Sequence, residues 1–281
     1  MFKNYAKLTL PGKGVYPFLR YDTIYASIYR KNKPKEALLM NDAKEPRPDY
    51  IGQQAYSRPE PEAGVLIVTA VEVEADAVRR GLGGAPGFTV IAAGAGPAAA
   101  AAGTAAALAA GAGRYACVVS AGIGGGFPGR AAVGSLVVAS ELIFADLGAE
   151  TAEGFRGADE LGFGRVRYPA DTGRGARLAA ALEAAGLPVS TGPVLTVSTA
   201  TGTADTAAAL AARVPGAAAE AMEGCGVAAA AAALNLPVLE IRAISNPVGP
   251  RDRDAWRIGE ALAALAAAGP ILSEVLKCPQ N

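Results

Sequence analysis

Residues 219–256 read AEAMEGCGVAAAAAALNLPVLEIRAISNPVGPRDRDAW, and the alternation inside this stretch decides the fold. Met222 and Glu223 open an Ala-rich segment of helical character, and residues 237–241 then form a short apolar run of the kind that makes a buried strand. That strand ends in Arg242-Ala243-Ile244-Ser245-Asn246. A carboxylate at a helix start and a carboxamide at a strand's carboxyl end can face one crevice, which is where α/β sheets bind their ligands.

Outward from this stretch the alternation repeats. Residues 65–71 make an apolar strand followed by helix-prone 72–81, and 88–92 make a second strand. Gly94-Ala95-Gly96-Pro97 then opens a helix over 98–110, and 116–120 form a third strand leading to a glycine loop, Gly122-Ile123-Gly124-Gly125-Gly126. A fourth strand at 135–139 precedes a less regular, Gly- and charge-rich stretch to about residue 171. A helix over 174–185, a strand over 189–197 and a helix over 203–212 follow, and 252–276 read as one long amphipathic helix. The pattern predicts an α/β domain over residues 63–281, a three-layer α/β/α arrangement with a central mixed, largely parallel sheet and helices on both faces.

Residues 1–62 differ from this domain. Every lysine but Lys277 and every tyrosine but Tyr115 and Tyr168 lies there, and Pro34, Pro46, Pro48, Pro59 and Pro61 punctuate it. Residues 21–29 alternate weakly enough for a short strand, and the later part has linker composition. The segment is expected to be a disordered or accessory extension without chemistry of its own.

Composition narrows the function. The chain has 281 residues, 26 basic and 26 acidic, so no basic footprint points to nucleic acid. It contains no histidine, which excludes His-based triads and the commonest metal ligand. The chemistry falls to carboxylates, amides, hydroxyls or a cofactor. Cys117, Cys225 and Cys278 are widely spaced, and this fits a reducing cytoplasm better than a disulfide framework. The start MFKNYAKLTLPGKG lacks the parts of a secretory signal, and the apolar runs at 98–112 and 227–236 are too short or interrupted to span a bilayer. No membrane partner is expected.

Two acidic and glycine-rich features carry chemistry. Gly94-x-Gly96-x-x-Ala99 matches the loose dinucleotide-binding fingerprint, but the next strand ends Val118-Val119-Ser120-Ala121 without the acid that would hold a ribose hydroxyl. Glu72 and Glu74 follow the first strand. Acids favour a helix start through its dipole, and a glutamate at the carboxyl end of a central strand also points into a ligand crevice, where it can deprotonate water.

The ordered set Ala70-Val71-Glu72-Val73-Glu74, Gly94-Ala95-Gly96, Gly122 to Gly126, Ala221-Met222-Glu223 and Arg242 to Asn246 resembles the purine nucleoside phosphorylase/nucleosidase superfamily. Within it the chain is most similar to the futalosine hydrolases, relatives of the methylthioadenosine/S-adenosylhomocysteine nucleosidases. The resemblance covers residues 64–276. It implies a nucleoside phosphorylase-like fold and hydrolysis of the N-glycosidic bond of a purine nucleoside, futalosine foremost, giving hypoxanthine on the route to menaquinone, with no metal and no cofactor expected. Methylthioadenosine/S-adenosylhomocysteine nucleosidase, nucleoside phosphorylase and a non-catalytic nucleoside-binding module are the alternatives.

Carried over by position, the resemblance makes Glu74 the water-activating base and Met222 and Glu223 the ribose-binding pair. Thr199, Ala200 and Thr201 occupy the base-lining segment, with Trp256 as an apolar wall, and Gly122 and Gly124 belong to the glycine loop. Adenosine-cleaving relatives carry Asp where this chain has Asn246. A carboxylate only accepts hydrogen bonds, whereas a carboxamide can donate to O6 or N7 of hypoxanthine, so Asn246 points to a 6-oxopurine. Phosphorylases of the superfamily bind phosphate through arginines, one just before this glycine loop; here the approach has no cation, which favours water over phosphate. A substrate carboxylate on the 5′ side calls for arginine, and Arg251 and Arg253 are the candidates, unless they form a solvated, self-paired helix start. The resemblance also implies a homodimer or larger homo-oligomer.

Overall fold

A computed structural model describes residues 64–277; the expected strand at 21–29, Cys278 and the whole of the N-terminal extension lie outside the described residues. The elements run β1 (Gly64–Thr69), α1 (Glu72–Leu82), β2 (Phe88–Ala92), α2 (Pro97–Ala110), β3 (Tyr115–Gly126), β4 (Leu136–Phe144), β5 (Gly148–Thr151), β6 (Gly154–Gly157), β7 (Arg167–Pro169), α3 (Thr172–Ala184), β8 (Val189–Thr196), α4 (Ala204–Arg213), β9 (Ala219–Ala221), α5 (Gly224–Ala233), β10 (Val238–Pro247), α6 (Ile258–Ala267) and α7 (Gly269–Leu276).

The main sheet is mixed. Strand β1 pairs in parallel with β2 and β3, β3 with β10, β4 with β8 and β8 with β9; β10–β4, β3–β9 and β4–β7 are antiparallel. Because β9 bonds to both β8 and β3, and β10 to both β3 and β4, the pairing returns on itself through β3, β10, β4, β8 and β9. Strands β5 and β6 form a separate antiparallel pair.

Period-two alternation sends successive side chains to opposite faces, so a strand buried on both sides needs an unbroken apolar run. In β1 every residue is buried. Leu66 and Val68 enter a core with Ala100 and Leu108 of α2 and Val227, Ala228 and Ala231 of α5. Val65 and Ile67 enter another with Val78 of α1, Leu178 and Leu182 of α3, Ala261 and Leu265 of α6 and Leu272 of α7.

Local signals set the helix ends. Helix α1 has Glu72 and Glu74 in its first turn and Arg79 and Arg80 in its last, matching the dipole, and stops at Gly83, whose φ of 58° is left-handed. Pro97 starts α2, a position that tolerates its missing N–H. Helices α2 and α5 are rich in alanine, and Gly226 lies so close to the Pro97 backbone that a β-carbon there would collide. Small residues therefore set this close approach, which brings the loop before α2 up to the start of α5.

Three sequence expectations change. The glycine run 122–126 is not a loop, since β3 continues through Gly126, paired with β10 and then β9. The last helix begins at Ile258 rather than 252 and is two helices meeting at Ala268. The irregular stretch before residue 171 holds β5, β6 and β7. By length and composition Ile258–Leu276 could cross a membrane, with a mean hydropathy of 1.4. Its Ala261, Leu265, Ala268, Leu272 and Leu276 are instead packed in the core.

Candidate functional site

Strand register assembles the site. β10 runs beside β3 with Glu240 opposite Ser120, Arg242 opposite Gly122 and Asn246 opposite Gly125. Residues two apart share a face, so Glu240 and Arg242 point to the same side, towards Ser120 and the first glycine. Arg242 is buried and fully engaged. Its Nε donates to Glu240 Oε1 at 2.8 Å, Nη2 to Ser120 Oγ at 2.8 Å, and Nη1 to Glu223 Oε2 at 3.2 Å and to the Ile123 carbonyl at 3.5 Å.

Glu223 caps the start of α5 and is buried. Its Oε1 accepts from the Gly96 N–H at 3.1 Å and its Oε2 from the Met222 N–H at 3.3 Å. The fingerprint-like Gly94-x-Gly96 turn, at the N-terminus of α2, therefore faces the protein's own carboxylate.

Glu74 reaches the same place from α1. Its Oε2 accepts from the N–H groups of Ala70 at 3.0 Å and Val71 at 3.2 Å, and its Oε1 from Ile123 N–H at 2.9 Å. Glycine 122 explains how the parts meet: a β-carbon there would lie 2.7 Å from both Glu74 Oε1 and Arg242 Nη1. Gly124 has the Glu220 carbonyl 2.8 Å from such a position, and Gly125 has Asn246 Nδ2 at 3.3 Å. Gly122 and Gly124, two apart, thus share the face of β3 that meets Glu74 and Arg242, and Gly125, on the alternate face, meets Asn246.

Asn246, half-buried at the end of β10, is oriented by its neighbours. Ser245 Oγ donates to its Oδ1 at 2.7 Å, and its Nδ2 donates to the Pro247 carbonyl at 2.8 Å. An amide nitrogen has two hydrogens, so the second remains for an incoming acceptor.

In the segment expected to line the base, Thr199 is exposed, Ala200 half-buried and Thr201 buried. Thr201 donates its N–H to Glu220 Oε1 at 2.9 Å and its hydroxyl to Glu220 Oε2 at 2.5 Å. Burial pushes the Glu220 carboxyl up from the ordinary range, against these two hydrogen bonds and with help from Asp146. The Arg251 N–H donates to the Gly202 carbonyl at 3.0 Å, joining this segment to the loop after β10. There Trp256 is half-buried, with the Arg251 and Arg253 guanidiniums 5.2 and 6.0 Å from its ring centre. Both arginines are exposed and sit in a loop, not a helix, and among the described residues neither is in an ion pair.

Glu220 and Glu240 are absent from the sequence expectations, and Arg242 enters them only as the first residue of the motif that ends in Asn246. The signal for Glu240 and Arg242 was present: a Glu and an Arg two apart inside the apolar strand Val238-Leu239-Glu240-Ile241-Arg242-Ala243 must share a buried face and need one another. Burial pushes the Glu240 carboxyl up, Arg242 pulls it down and Glu223 pushes it up again. Among the described residues no cluster of His, Cys, Asp or Glu is arranged to hold a metal ion. A hollow of about 450 Å³ lined by Arg165, Tyr168, Asp171, Asn235 and Val238 lies at the other end of β10 and includes none of these converging groups.

The model of the phosphorylase superfamily matches residues 69–277. A futalosine hydrolase of Streptomyces coelicolor is 57% identical over 233 residues, covering 76% of this chain and 96% of its own length. One from Acidothermus cellulolyticus is 44% identical over 223 residues, covering 72% and 90%. The chain belongs to the phosphorylase superfamily, in the branch that holds these futalosine hydrolases. Among solved structures, the 5′-methylthioadenosine/S-adenosylhomocysteine nucleosidase of Neisseria meningitidis, in complex with methylthio-immucillin-A, superposes with a TM-score of 0.66 at 20% identity. It covers 76% of this chain and 99% of that one. The S-adenosylhomocysteine nucleosidase of Streptococcus pyogenes gives 0.65 at 20%, covering 77% and 97%. At that identity the likeness shows the nucleosidase fold alone.

Proposed function

We propose that this chain hydrolyses the N-glycosidic bond of futalosine, releasing hypoxanthine and the free sugar portion. The observation that carries the reading is the meeting of Glu74 and the Arg242–Glu223 pair across Gly122, with Asn246 three register positions further along β3.

Bond cleavage at C1′ develops positive charge on the sugar and negative charge on the leaving base, as in other glycoside cleavages. In this reading the 2′ and 3′ hydroxyls donate to Glu223, whose charge offsets the oxocarbenium character. Met222 packs beneath the ribose. Asn246 donates its free amide hydrogen to N7 or O6, where charge accumulates as the C–N bond lengthens. Glu74 takes a proton from water as the water oxygen bonds to C1′, a contribution of about 10²–10⁴-fold. Thr199, Ala200 and Thr201 line the base, and Trp256 closes it off. Gly122 and Gly124 leave room where side chains would block the approach. No metal and no organic cofactor takes part.

Water is favoured over phosphate because Arg242, the cation buried among these groups, is already committed to Glu240 and Glu223. A phosphate dianion would find no unpaired charge there and would meet Glu74. Arg251 and Arg253, unpaired beside Trp256, take the substrate carboxylate. A second copy of the chain belongs to this reading, covering Val71 and Val73, 44% and 52% exposed on the turn that carries Glu74.

Product analysis tests it. Futalosine, inosine and methylthioadenosine are incubated with the enzyme, with and without inorganic phosphate. Free hypoxanthine from futalosine at an equal rate without phosphate is expected; a phosphate requirement with sugar 1-phosphate as product, or preference for methylthioadenosine, overturns it.

A further inference from the structure

Glu240 takes no part in the reaction just described, yet it is wholly buried beneath it. Its Oε1 accepts from Arg242 Nε, and its Oε2 has no hydrogen-bond partner among the described residues. Gly224, the residue after Glu223, lies directly above: a β-carbon there would collide with both Glu240 oxygens. Glu240 therefore supports the turn that presents Glu223, with backbone between it and the site.

Stability gives no reason for a carboxylate at this place. Desolvating a charge or leaving a buried oxygen unbonded is costly, and an apolar residue of similar volume commonly serves a core as well or better. What a carboxylate supplies is an anchor for one edge of a planar guanidinium. With Nε held by Glu240 and Nη2 by Ser120, Nη1 is directed at Glu223 Oε2 and the Ile123 carbonyl. Glu223 then has one oxygen bonded to Gly96 and the other shared by Met222 and Arg242. A carboxylate has about four lone-pair sites, so one remains on Oε1 for a sugar hydroxyl. Released from Glu240, the guanidinium can turn to meet Glu223 through both of its outer nitrogens and occupy that site.

We propose that Glu240 is a positioning residue for ribose recognition, fixing through Arg242 the edge that Glu223 offers to the 2′ and 3′ hydroxyls. This rests on the reading of Glu223 as the ribose acceptor.

The test compares kcat/KM for futalosine with that for its 2′-deoxy analogue, in the wild-type chain and in E240Q, E240L and E240A, with thermal unfolding followed in parallel. The wild-type chain is expected to favour the ribo substrate by at least about tenfold. Gln can still accept from Nε, so E240Q keeps this ratio within about threefold; E240L and E240A lower it at least about tenfold, with KM rising more than kcat falls. A purely structural role would lower the melting temperature and leave the ratio per folded molecule unchanged, and that result in a folded E240L or E240A overturns the proposal. If neither variant folds, R242K decides, because it keeps the charge and loses the Nε anchor: a ratio lowered about tenfold supports the proposal and an unchanged ratio overturns it. A wild-type ratio near one instead overturns the ribose reading of Glu223 itself.

Discussion

Thr201 is suspended from Glu220 by two hydrogen bonds, its backbone N–H to one carboxyl oxygen at 2.9 Å and its hydroxyl to the other at 2.5 Å. The segment proposed to line the base is thereby tied to β9, the strand that leads into Met222 and Glu223. Burial raises the Glu220 carboxyl above its ordinary value of 4.5 in the folded chain. The folded state then holds the proton more tightly than the unfolded one, so this group's contribution is greatest below the unfolded value and falls as pH rises towards the raised value. In E220Q, which has no proton to lose, the fall in melting temperature across that window should shrink. Identical slopes in both proteins would contradict the assignment.

Exchanging Asn246 for Asp replaces the proposed donor to the base by an acceptor. N246D should shift preference from 6-oxopurine towards 6-aminopurine nucleosides, read as the ratio of kcat/KM for futalosine to that for its adenine counterpart, aminofutalosine. An unchanged ratio would remove Asn246 from base selection.

Arg242 neutralises Glu240, which is wholly buried, and Glu223, which is largely so. Removing one partner of such a buried group typically costs about 3–5 kcal/mol, because the other charges are left uncompensated. R242M should therefore lose roughly that much stability in denaturant unfolding. Adding E240L should recover part of it, since the orphaned carboxylate goes too; a loss under about 1 kcal/mol in R242M would show the network to be inert.

Much of this organisation was legible in the sequence, and the failures have physical reasons. Residues 65–71 read as a strand because an uninterrupted apolar run fits a strand buried on both faces, as β1 is. Beyond Ser120 that pattern ends, since glycine has no side chain to show which face it occupies, and the continuation of β3 to Gly126 was read as a loop. The last helix started too early because Asp252 and Asp254 look like helix-start acids, whereas the chain there runs as a loop past Trp256. Glu74, Glu223 and Asn246 are candidates through the family resemblance. Glu220 is not legible in this way, because its partner Thr201 is 19 residues away and meets it only in the folded chain, whereas Glu240 carries its signal in Arg242, two residues on in the same strand.

Arg251 and Arg253 predict discrimination by the 5′ substituent. A charge-assisted bond to a carboxylate contributes about 1.5–3 kcal/mol, so R251A and R253A should each lower kcat/KM for futalosine by roughly 10–150-fold. Inosine, which lacks the 5′-side carboxylate, should be cleaved as before; an equal loss on both substrates would make the arginines structural.

The account depends most on Glu74, whose carboxylate is hydrogen-bonded both to the start of its own helix, through Ala70 and Val71, and to Ile123 at the glycine strand. Single-turnover release of hypoxanthine from futalosine by E74Q, measured with the dissociation constant of the bound substrate, is the most direct test. Glutamine has the same shape and one acceptor oxygen, enough for one side of those backbone hydrogen bonds, but cannot take a proton from water. The expected result is a rate lowered by about 10²–10⁴-fold with substrate affinity nearly unchanged; wild-type turnover in E74Q would contradict the proposed mechanism.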